Sequence, residues 1–158
     1  MERSALLTIR NLLSELVVLS LAVVVEGEPE AALLPFAPSE DLAAVYVQAS
    51  GLARHARGLT TGASVGVLIH KPVTPEINPM QVPRLSVRAT VQMLDREMPA
   101  FAAARDRLVE RLPAAAMTLE LGDFNLYELR LGRGRYVEGF ARAFNVGAET
   151  FAEAAGLK

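Results

Sequence analysis

The amino-acid sequence predicts a mainly β fold, in which an antiparallel sheet curls into a barrel with helices at its ends. Runs that are rich in Val or that alternate between apolar and polar residues recur along the chain. The segments between these runs are mostly short, which favours antiparallel pairing of neighbouring strands. A length of 158 residues suits one domain with its own core, and we expect 1–158 to form a single domain.

The first third of the chain predicts a helix, three strands and a short second helix. Leu6, Ile9, Leu12 and Leu13 recur at helical spacing in 3–14. The following run LVVLSLAVVV is Val-rich and reaches roughly half the length of a membrane-spanning helix, so it favours a buried strand. The expected order is strand 16–25, turn 26–30, strand 31–36, turn 37–41, strand 43–47 and a helix over 51–59 with Ser50 as its N-cap.

The remaining residues predict more strands and two further helices. In 83–94 the residues Leu85, Val87, Ala89 and Val91 alternate with polar ones, as in a half-buried strand. The other expected elements are strand 64–69, a proline-rich loop over 70–80, a helix over 97–112, strands within 115–131 broken at Gly122–Asp123, a tight turn at 132–134, a return strand over 135–146 and a helix over 148–158.

Composition excludes several kinds of site and partner. The net charge of −2 gives no sign of a nucleic-acid partner. The absence of cysteine rules out disulfides and thiolate metal sites, and it fits a cytoplasmic protein. Two histidines do not suffice for a zinc site with three histidine ligands. We expect no metal and no membrane segment. A signal peptide is the competing interpretation of 16–25, but Arg10 and Glu15 disturb its pattern.

Positive charge is concentrated where the predicted second helix begins. Ser50 and Gly51 precede Arg54, His55 and Arg57 within the stretch SGLARHARGL. Unpaired N–H groups at a helix start, together with guanidinium groups on one face, form a cradle for phosphate or carboxylate. The alternative is a short surface helix with solvated arginines.

A second candidate for ligand binding is Arg84, which follows a proline-rich loop and opens a strand. There it either pairs with a bound anion or lies in solvent at the edge of the sheet, and Arg88 falls on the same strand face. In the stretch GRGRYVEGFARAF, Tyr136, Phe140 and Phe144 are typical of a core. The chain carries neither a phosphate-binding glycine loop nor a hydrolase motif, so redox chemistry on a bound cofactor suits it better than self-sufficient acid–base catalysis.

Several of these stretches together resemble a known family. LLPFAPSEDLAAVYVQASGLARHARGLTTGASVGVLI resembles the first half of the flavin-binding split barrel of the pyridoxamine 5'-phosphate oxidase superfamily, and PRLSVRATVQML with DFNLYELRLGRGRYVEGFARAFNV resembles the second half. The resemblance covers about 16–146. It is strongest to the haem-utilisation branch, whose pattern runs S-x-L-A-x-H-T-x-N-L, P-R-L-T-L and D-F-x-L-Y-x-L.

The resemblance implies a six-stranded antiparallel split barrel, a homodimer, and FMN bound at the subunit interface. On this mapping Arg54 and His55 grip the FMN phosphate, Ser50 and Gly51 supply the turn before them, and Arg84 lies beside the pyrimidine edge of the flavin. The implied function is an FMN-binding flavoprotein, an oxidoreductase acting on an unidentified small substrate. No catalytic residue can be named.

Departures from the family pattern keep other functions open. The family's HTRNL is HARGL here, GGFG is EGFA, and the second strand EAALLPF lacks the usual polar or basic residue. The alternatives are a split barrel that binds a partner without a cofactor, or a haem-binding protein. Since the haem-degrading branch uses a C-terminal extension and this sequence ends soon after the barrel, haem oxygenase activity is not expected. The mean hydropathy of +0.26 independently favours a dimer that covers apolar surface.

Overall fold

Six antiparallel strands close into a barrel, and a seventh strand extends the sheet. The computed structural model describes residues 1–157. Its strands are β1 (Val18–Val25), β2 (Glu28–Pro38), β3 (Ala44–Ser50), β4 (Ser64–His70), β5 (Arg84–Leu94), β6 (Phe124–Gly139) and β7 (Arg142–Val146). Its α-helices are α1 (Arg3–Glu15), α2 (Pro99–Arg111), α3 (Ala115–Glu120) and α4 (Ala148–Ala155).

The sheet order is β3-β2-β1-β4-β5-β6-β7, and β3 also pairs with β6. This second pairing closes the barrel, with a register that runs from Ala44 opposite Arg130 to Ser50 opposite Phe124. The split-barrel fold class expected from the sequence is confirmed. β1 and β2 form the expected hairpin, whose two loop residues Glu26 and Gly27 both have positive φ, as a tight hairpin turn requires.

Two hydrophobic cores hold the fold together. The inward residues of the strands fill the barrel, and α1 and α4 pack on it through Ile9, Leu12 and Phe151, all fully buried. A smaller core lies outside the barrel, where Leu108 of α2 and Leu119 of α3 pack with Leu126 of β6. The barrel interior is therefore a packed core, and any ligand has to bind on its outer surface or at its ends.

Three expectations about 115–146 are wrong. Residues Ala115–Glu120 form a helix rather than a strand, because Ala115 and Leu119 recur at helical spacing and both pack into the second core. β6 then runs without interruption through the expected turn at 132–134. The chain reverses instead after Gly139, where Ala141 has a φ of 61°. Phe140, which was expected in a core, is 71% exposed in this turn.

The segment around Ser50 also differs from the expectation. Ser50 ends β3 instead of capping a helix, and the helical part is a 3₁₀ helix over Arg54–Gly58 whose N-cap is Ala53. The expected proline-rich loop has one turn of 3₁₀ helix at Pro79–Gln81. Across residues 1–157, no helix is both long enough and apolar enough to cross a membrane.

Candidate functional site

Ser50 and Gly51 are bound to the start of β6. The Ser50 hydroxyl donates a 2.5 Å hydrogen bond to the Asp123 carboxylate, and the Gly51 N–H donates to the Asp123 main-chain oxygen at 2.6 Å. The Ser50 hydroxyl also accepts a hydrogen bond from the Leu52 N–H. Sequence reasoning assigned Asp123 no role, although it stands directly before β6 and fixes the Ser50–Gly51 turn.

The arginines of the predicted phosphate cradle are paired with glutamates of the β1–β2 hairpin. Arg54 donates through Nε to Glu30, and this hydrogen bond raises the pKa of Arg54. Arg57 lies 3.7 Å from a carboxylate oxygen of Glu26. Both arginine side chains remain more than half exposed, at 56% and 61%. A phosphate at Arg54 would therefore meet two carboxylates that are already there.

His55 and Gly58 anchor the 3₁₀ helix against the barrel. The Nε2 atom of His55 is buried and has no hydrogen-bond partner among residues 1–157. A Cβ at Gly58 would lie 2.3 Å from Val23 and 2.6 Å from the Val24 oxygen, so only glycine permits this close approach. The helix therefore sits on β1 in a fixed position.

Arg84 lies far from the other candidate residues within one copy of the chain. It opens β5 opposite Val137, whereas Ser50 pairs with Phe124 at the far end of β6. The 11 residues of β5 span about 35 Å. The structure thus brings Ser50, Gly51, Arg54 and His55 together, while Arg84 stands at the opposite end of the barrel.

The neighbour of Arg84 across the sheet is His70, the last residue of β4. The Nδ1 atom of His70 lies 2.7 Å from the Lys71 main-chain oxygen. Lys71 is itself fixed, because its N–H donates to the Pro83 oxygen at 3.1 Å. Arg84 is half-buried and donates to the Val82 oxygen. The sequence placed His70 in a loop, so nothing in the pattern linked it to Arg84.

A largely apolar groove begins beside His70 and follows β1 on the outside of the barrel. We refer to it as the β1 groove. Its volume is about 290 Å³, and its lining residues are Leu16, Val17, Val18, Leu19, Ser20, Leu33, Leu68, His70 and Pro72. Sequence reasoning missed this groove, because the buried-strand interpretation of 16–25 does not separate outward valines from inward ones.

The surface around the β1 groove is unusually apolar. Val18, Val24 and Leu33 are 42%, 59% and 67% exposed on the outer face of β1 and β2. Small residues lie between them, since Ala22 faces Ala31 on β2 and Gly66 on β4. Contiguous apolar surface of this kind marks a binding surface. Among the described residues, no cluster of three or more His, Cys, Asp or Glu side chains could hold a metal ion.

The chain is similar to one curated protein and to several solved structures. No family model matches the chain. Haem oxygenase HutZ of Vibrio cholerae serotype O1 is 26% identical over 125 residues, which cover 78% of this chain and 70% of HutZ. Its crystal structure, described as that of a haem storage protein, has a TM-score of 0.72 and covers 80% of this chain and 89% of that one.

Two further structures bear on the fold. A haem-binding protein from Mycobacterium smegmatis matches with a TM-score of 0.84 and 25% identity over 97% of this chain, which spans 62% of the length of that protein. A pyridoxine phosphate oxidase family protein from Clostridium acetobutylicum matches with a TM-score of 0.69 and 12% identity, covering 96% of this chain and 99% of that one. The resemblance to the split-barrel superfamily and to its haem-utilisation branch is confirmed.

Proposed function

We propose that this chain is a haem-binding protein that holds haem in the β1 groove. The observation that carries the proposal is the position of this apolar groove beside His70 and Arg84. Haem is a flat apolar macrocycle with carboxylate groups on one edge, so it needs apolar surface with cations next to it. The names of the relatives, a haem oxygenase and haem-binding or haem-storage proteins, support the same ligand.

The residues present fit this ligand chemically. Val18, Leu33 and Leu68 offer apolar side chains along the groove, and Lys71 and Arg84 supply positive charge near its His70 end. When bound, haem supplies an iron centre for storage, transfer or oxygen chemistry. The chain itself excludes water from one face of the macrocycle and pairs its carboxylates.

We further propose that residues 1–158 form one domain that functions in the cytoplasm as a homodimer. The apolar face continues beyond the β1 groove to Val24, which is 59% exposed, and a second copy would cover this part of the face. Because Arg84 and Arg54 lie at opposite ends of one barrel, a single ligand that touches both needs residues from two copies.

FMN is the second candidate ligand. It is favoured by the grouping of Ser50, Gly51, Arg54 and His55 and by the exposure of Arg54. If FMN is the ligand, Arg84 of the second copy would lie beside the flavin ring. The protein would then be an oxidoreductase that acts on a small substrate. The pairing of Arg54 with Glu30 and of Ser50 with Asp123 weighs against it, because both groups would have to leave a carboxylate to bind phosphate.

Parallel titrations with haemin, FMN and riboflavin test the two ligands. We expect haemin to produce a saturable Soret band, while FMN and riboflavin bind weakly and equally. Leu33→Glu should lower haemin affinity roughly ten- to a hundredfold, the loss that corresponds to about 1.5–3 kcal/mol of leucine burial. Met117→Glu is the matched control, since Met117 is 69% exposed on α3 and Leu33 is 67% exposed.

The outcomes separate the candidates. Tight FMN binding that riboflavin does not share, and that Arg54→Ala abolishes, would replace haem by FMN as the ligand. Haemin binding that Leu33→Glu leaves unchanged would place haem outside the β1 groove and contradict the proposal.

A further inference from the structure

We propose that the end of β5 and the start of β6 form a docking site for a basic segment of another protein. The site is a cleft of about 260 Å³ between these strands and the first turn of α2. Met93, Asp95, Phe101 and Phe124 are among its lining residues. We refer to it as the acidic cleft. None of its lining residues lines the β1 groove, so this role is separate from ligand binding there.

The acidic cleft exists because β5 ends before its neighbour β6 does. The last pair of the β5–β6 ladder joins Leu94 to Leu126, whereas β6 begins two residues earlier, at Phe124. After Leu94 the chain leaves the sheet towards α2, where Phe101 packs into the second core. Phe124 and Asn125 therefore have no β5 residue beside them, and the space next to them stays open.

Arg96 holds the walls of the acidic cleft together. Its guanidinium lies 5.5 Å from the centre of the Phe101 ring and donates to the main-chain oxygen of Leu119. On the other side, the Phe124 N–H donates to the Leu121 oxygen at 3.2 Å. These contacts join α2, α3 and β6 around the cleft. Because the cleft is preformed, a partner loses little affinity in ordering it.

Apolar side chains surround the acidic cleft at the surface. Met93, Met98 and Leu121 are all exposed there, and the Met98 N–H donates to the main-chain oxygen of Asp95 in the cleft wall. Methionine and aromatic side chains are enriched at protein–protein interfaces, and the flexible methionine adapts its shape to a partner. An apolar side chain of a partner would thus fill the cleft and be covered by the residues around it.

The charge around the acidic cleft is strongly negative. Residues 93–98 and 119–126 contain one arginine and four acidic residues, which are Asp95, Glu97, Glu120 and Asp123. Asp123 accepts a hydrogen bond from Ser50. Within residues 1–157, none of the other three carboxylates forms an ion pair with a cation. Their charge is therefore available to a partner.

This charge decides which occupant suits the acidic cleft. Unpaired carboxylates repel phosphate groups, so nucleic acids and anionic membranes are unsuitable. A second copy of the chain suits the site less well than a basic segment, because the chain itself has a net charge of −2. A lysine or arginine next to an apolar anchor residue supplies both the complementary charge and the side chain that fills the cleft.

Fluorescence anisotropy with a synthetic peptide tests the site. The probe is a short labelled helical peptide of leucine and lysine, and the control probe has glutamate in place of every lysine. The wild type should bind the lysine probe, more weakly as salt increases, and should not bind the glutamate probe. Combining Glu97→Lys with Glu120→Lys should weaken binding roughly tenfold, because two attractions become repulsions.

Matched variants separate the acidic cleft from general effects. Glu40→Lys with Glu153→Lys changes the net charge equally at exposed positions elsewhere, and this variant should bind like the wild type. Met93→Ser should weaken binding roughly tenfold through the loss of apolar contact. Met80→Ser, in the exposed connection between β4 and β5, should not. Far-ultraviolet circular dichroism checks that each variant is folded.

The contrary outcomes are distinct from one another. A wild type that binds neither probe, or both equally, overturns the proposal. The same holds if the Glu40 and Glu153 variant loses as much affinity as the Glu97 and Glu120 variant, or if Met93→Ser binds like the wild type. A change of oligomeric mass in Met93→Ser, measured by light scattering, would assign this surface to a second copy instead. None of these measurements involves haem, so they leave the proposed function untouched.

Discussion

Single residues fix the position of the 3₁₀ helix on the barrel. At Gly58 the backbone passes so close to β1 that a methyl group would overlap with Val23 and the Val24 carbonyl. Two polar residues before it are held by partners that are distant in the sequence, Arg54 by Glu30 and Ser50 by Asp123. The charge cluster thus has a structural explanation in addition to any role in binding.

We predict that Gly58→Ala destabilises the protein by about 1–3 kcal/mol, because it forces β1 and the 3₁₀ helix apart in a packed region. Gly122→Ala is the control, since a Cβ there has no atom within 4 Å and the backbone is not in the left-handed region. Its effect should stay within about 0.5 kcal/mol. Urea unfolding of both variants measures the difference, and equal stability of the two would contradict the packing argument.

At the candidate site, the sequence predicted which neighbouring residues lie together but not which distant residues pair with them. The pattern S-G-L-A-R-H identified residues that do lie together, because they are consecutive in the chain. It could not reveal that Glu30 and Glu26 neutralise the arginines, since this depends on how the β1–β2 hairpin folds over the helix. His70 was missed for the same reason, because Arg84 and the residues that line the β1 groove with His70 come from other strands.

At the scale of elements, α2 is joined to α1 and β2 through one side chain. Arg111, the last residue of α2, donates to the main-chain oxygens of Leu13 and Leu16, which lie at the C-terminal end of α1. Its guanidinium also lies 5.1 Å from the centre of the Phe36 ring. Partial burial lowers the pKa of Arg111, yet the group stays charged at any ordinary pH. Arg111 thus donates hydrogen bonds to main-chain carbonyls that the end of a helix leaves unpaired.

We predict that Arg111→Ala costs about 2–3 kcal/mol of stability, since it removes charge-assisted hydrogen bonds and the stem that packs on Phe36. Arg111→Lys should recover only part of this loss, because lysine cannot reach two carbonyls with a planar fork. Arg105→Ala on the exposed side of α2 should cost less than about 0.5 kcal/mol. Thermal unfolding of the three variants ranks them, and an Arg111→Ala variant as stable as Arg105→Ala would exclude the capping role.

Most elements were predicted correctly from the sequence. The wrong predictions lie where packing or strand pairing outweighs local conformational preference. The helix at Arg3–Glu15 and the strand at Arg84–Leu94 show strong periodicity and were predicted nearly to the residue. The helix at Ala115–Glu120 is short, and packing on Leu126 decides its conformation more than local preference does. Gly132 and Gly134 suggested a turn, but they sit inside β6 where it passes closely over Arg88 and Ser86 of β5.

At the scale of the whole molecule, the barrel leaves one apolar face without a covering element. Val24 is 59% exposed on this face, and it lies outside the β1 groove. The fold class was predicted correctly as a whole, since it depends on the number and spacing of strands. The apolar face was not located, because its residues become neighbours only when β1, β2 and β4 pair.

We predict that the wild type is a dimer at micromolar concentration and that Val24→Glu shifts it towards monomer, because a charge would be buried without a partner. Met117→Glu, which adds the same charge on an exposed helix, should remain dimeric. Light scattering coupled to size-exclusion chromatography measures both masses. A wild type that elutes as a monomer, or a Val24→Glu variant that stays fully dimeric, would show that this face is not the interface.

The seam between β3 and β6 has a consequence for how the chain folds. Ser50 and Asp123, which meet at this seam, are 73 positions apart in the sequence, whereas the β1–β2 hairpin joins strands across two residues. Long-range pairing of this kind slows folding, and barrels dominated by it fold in milliseconds to seconds. Until the seam closes, β3 and β6 each present an unpaired edge that can pair with another chain. Aggregation during synthesis or refolding should therefore begin at this seam, before the native surface exists.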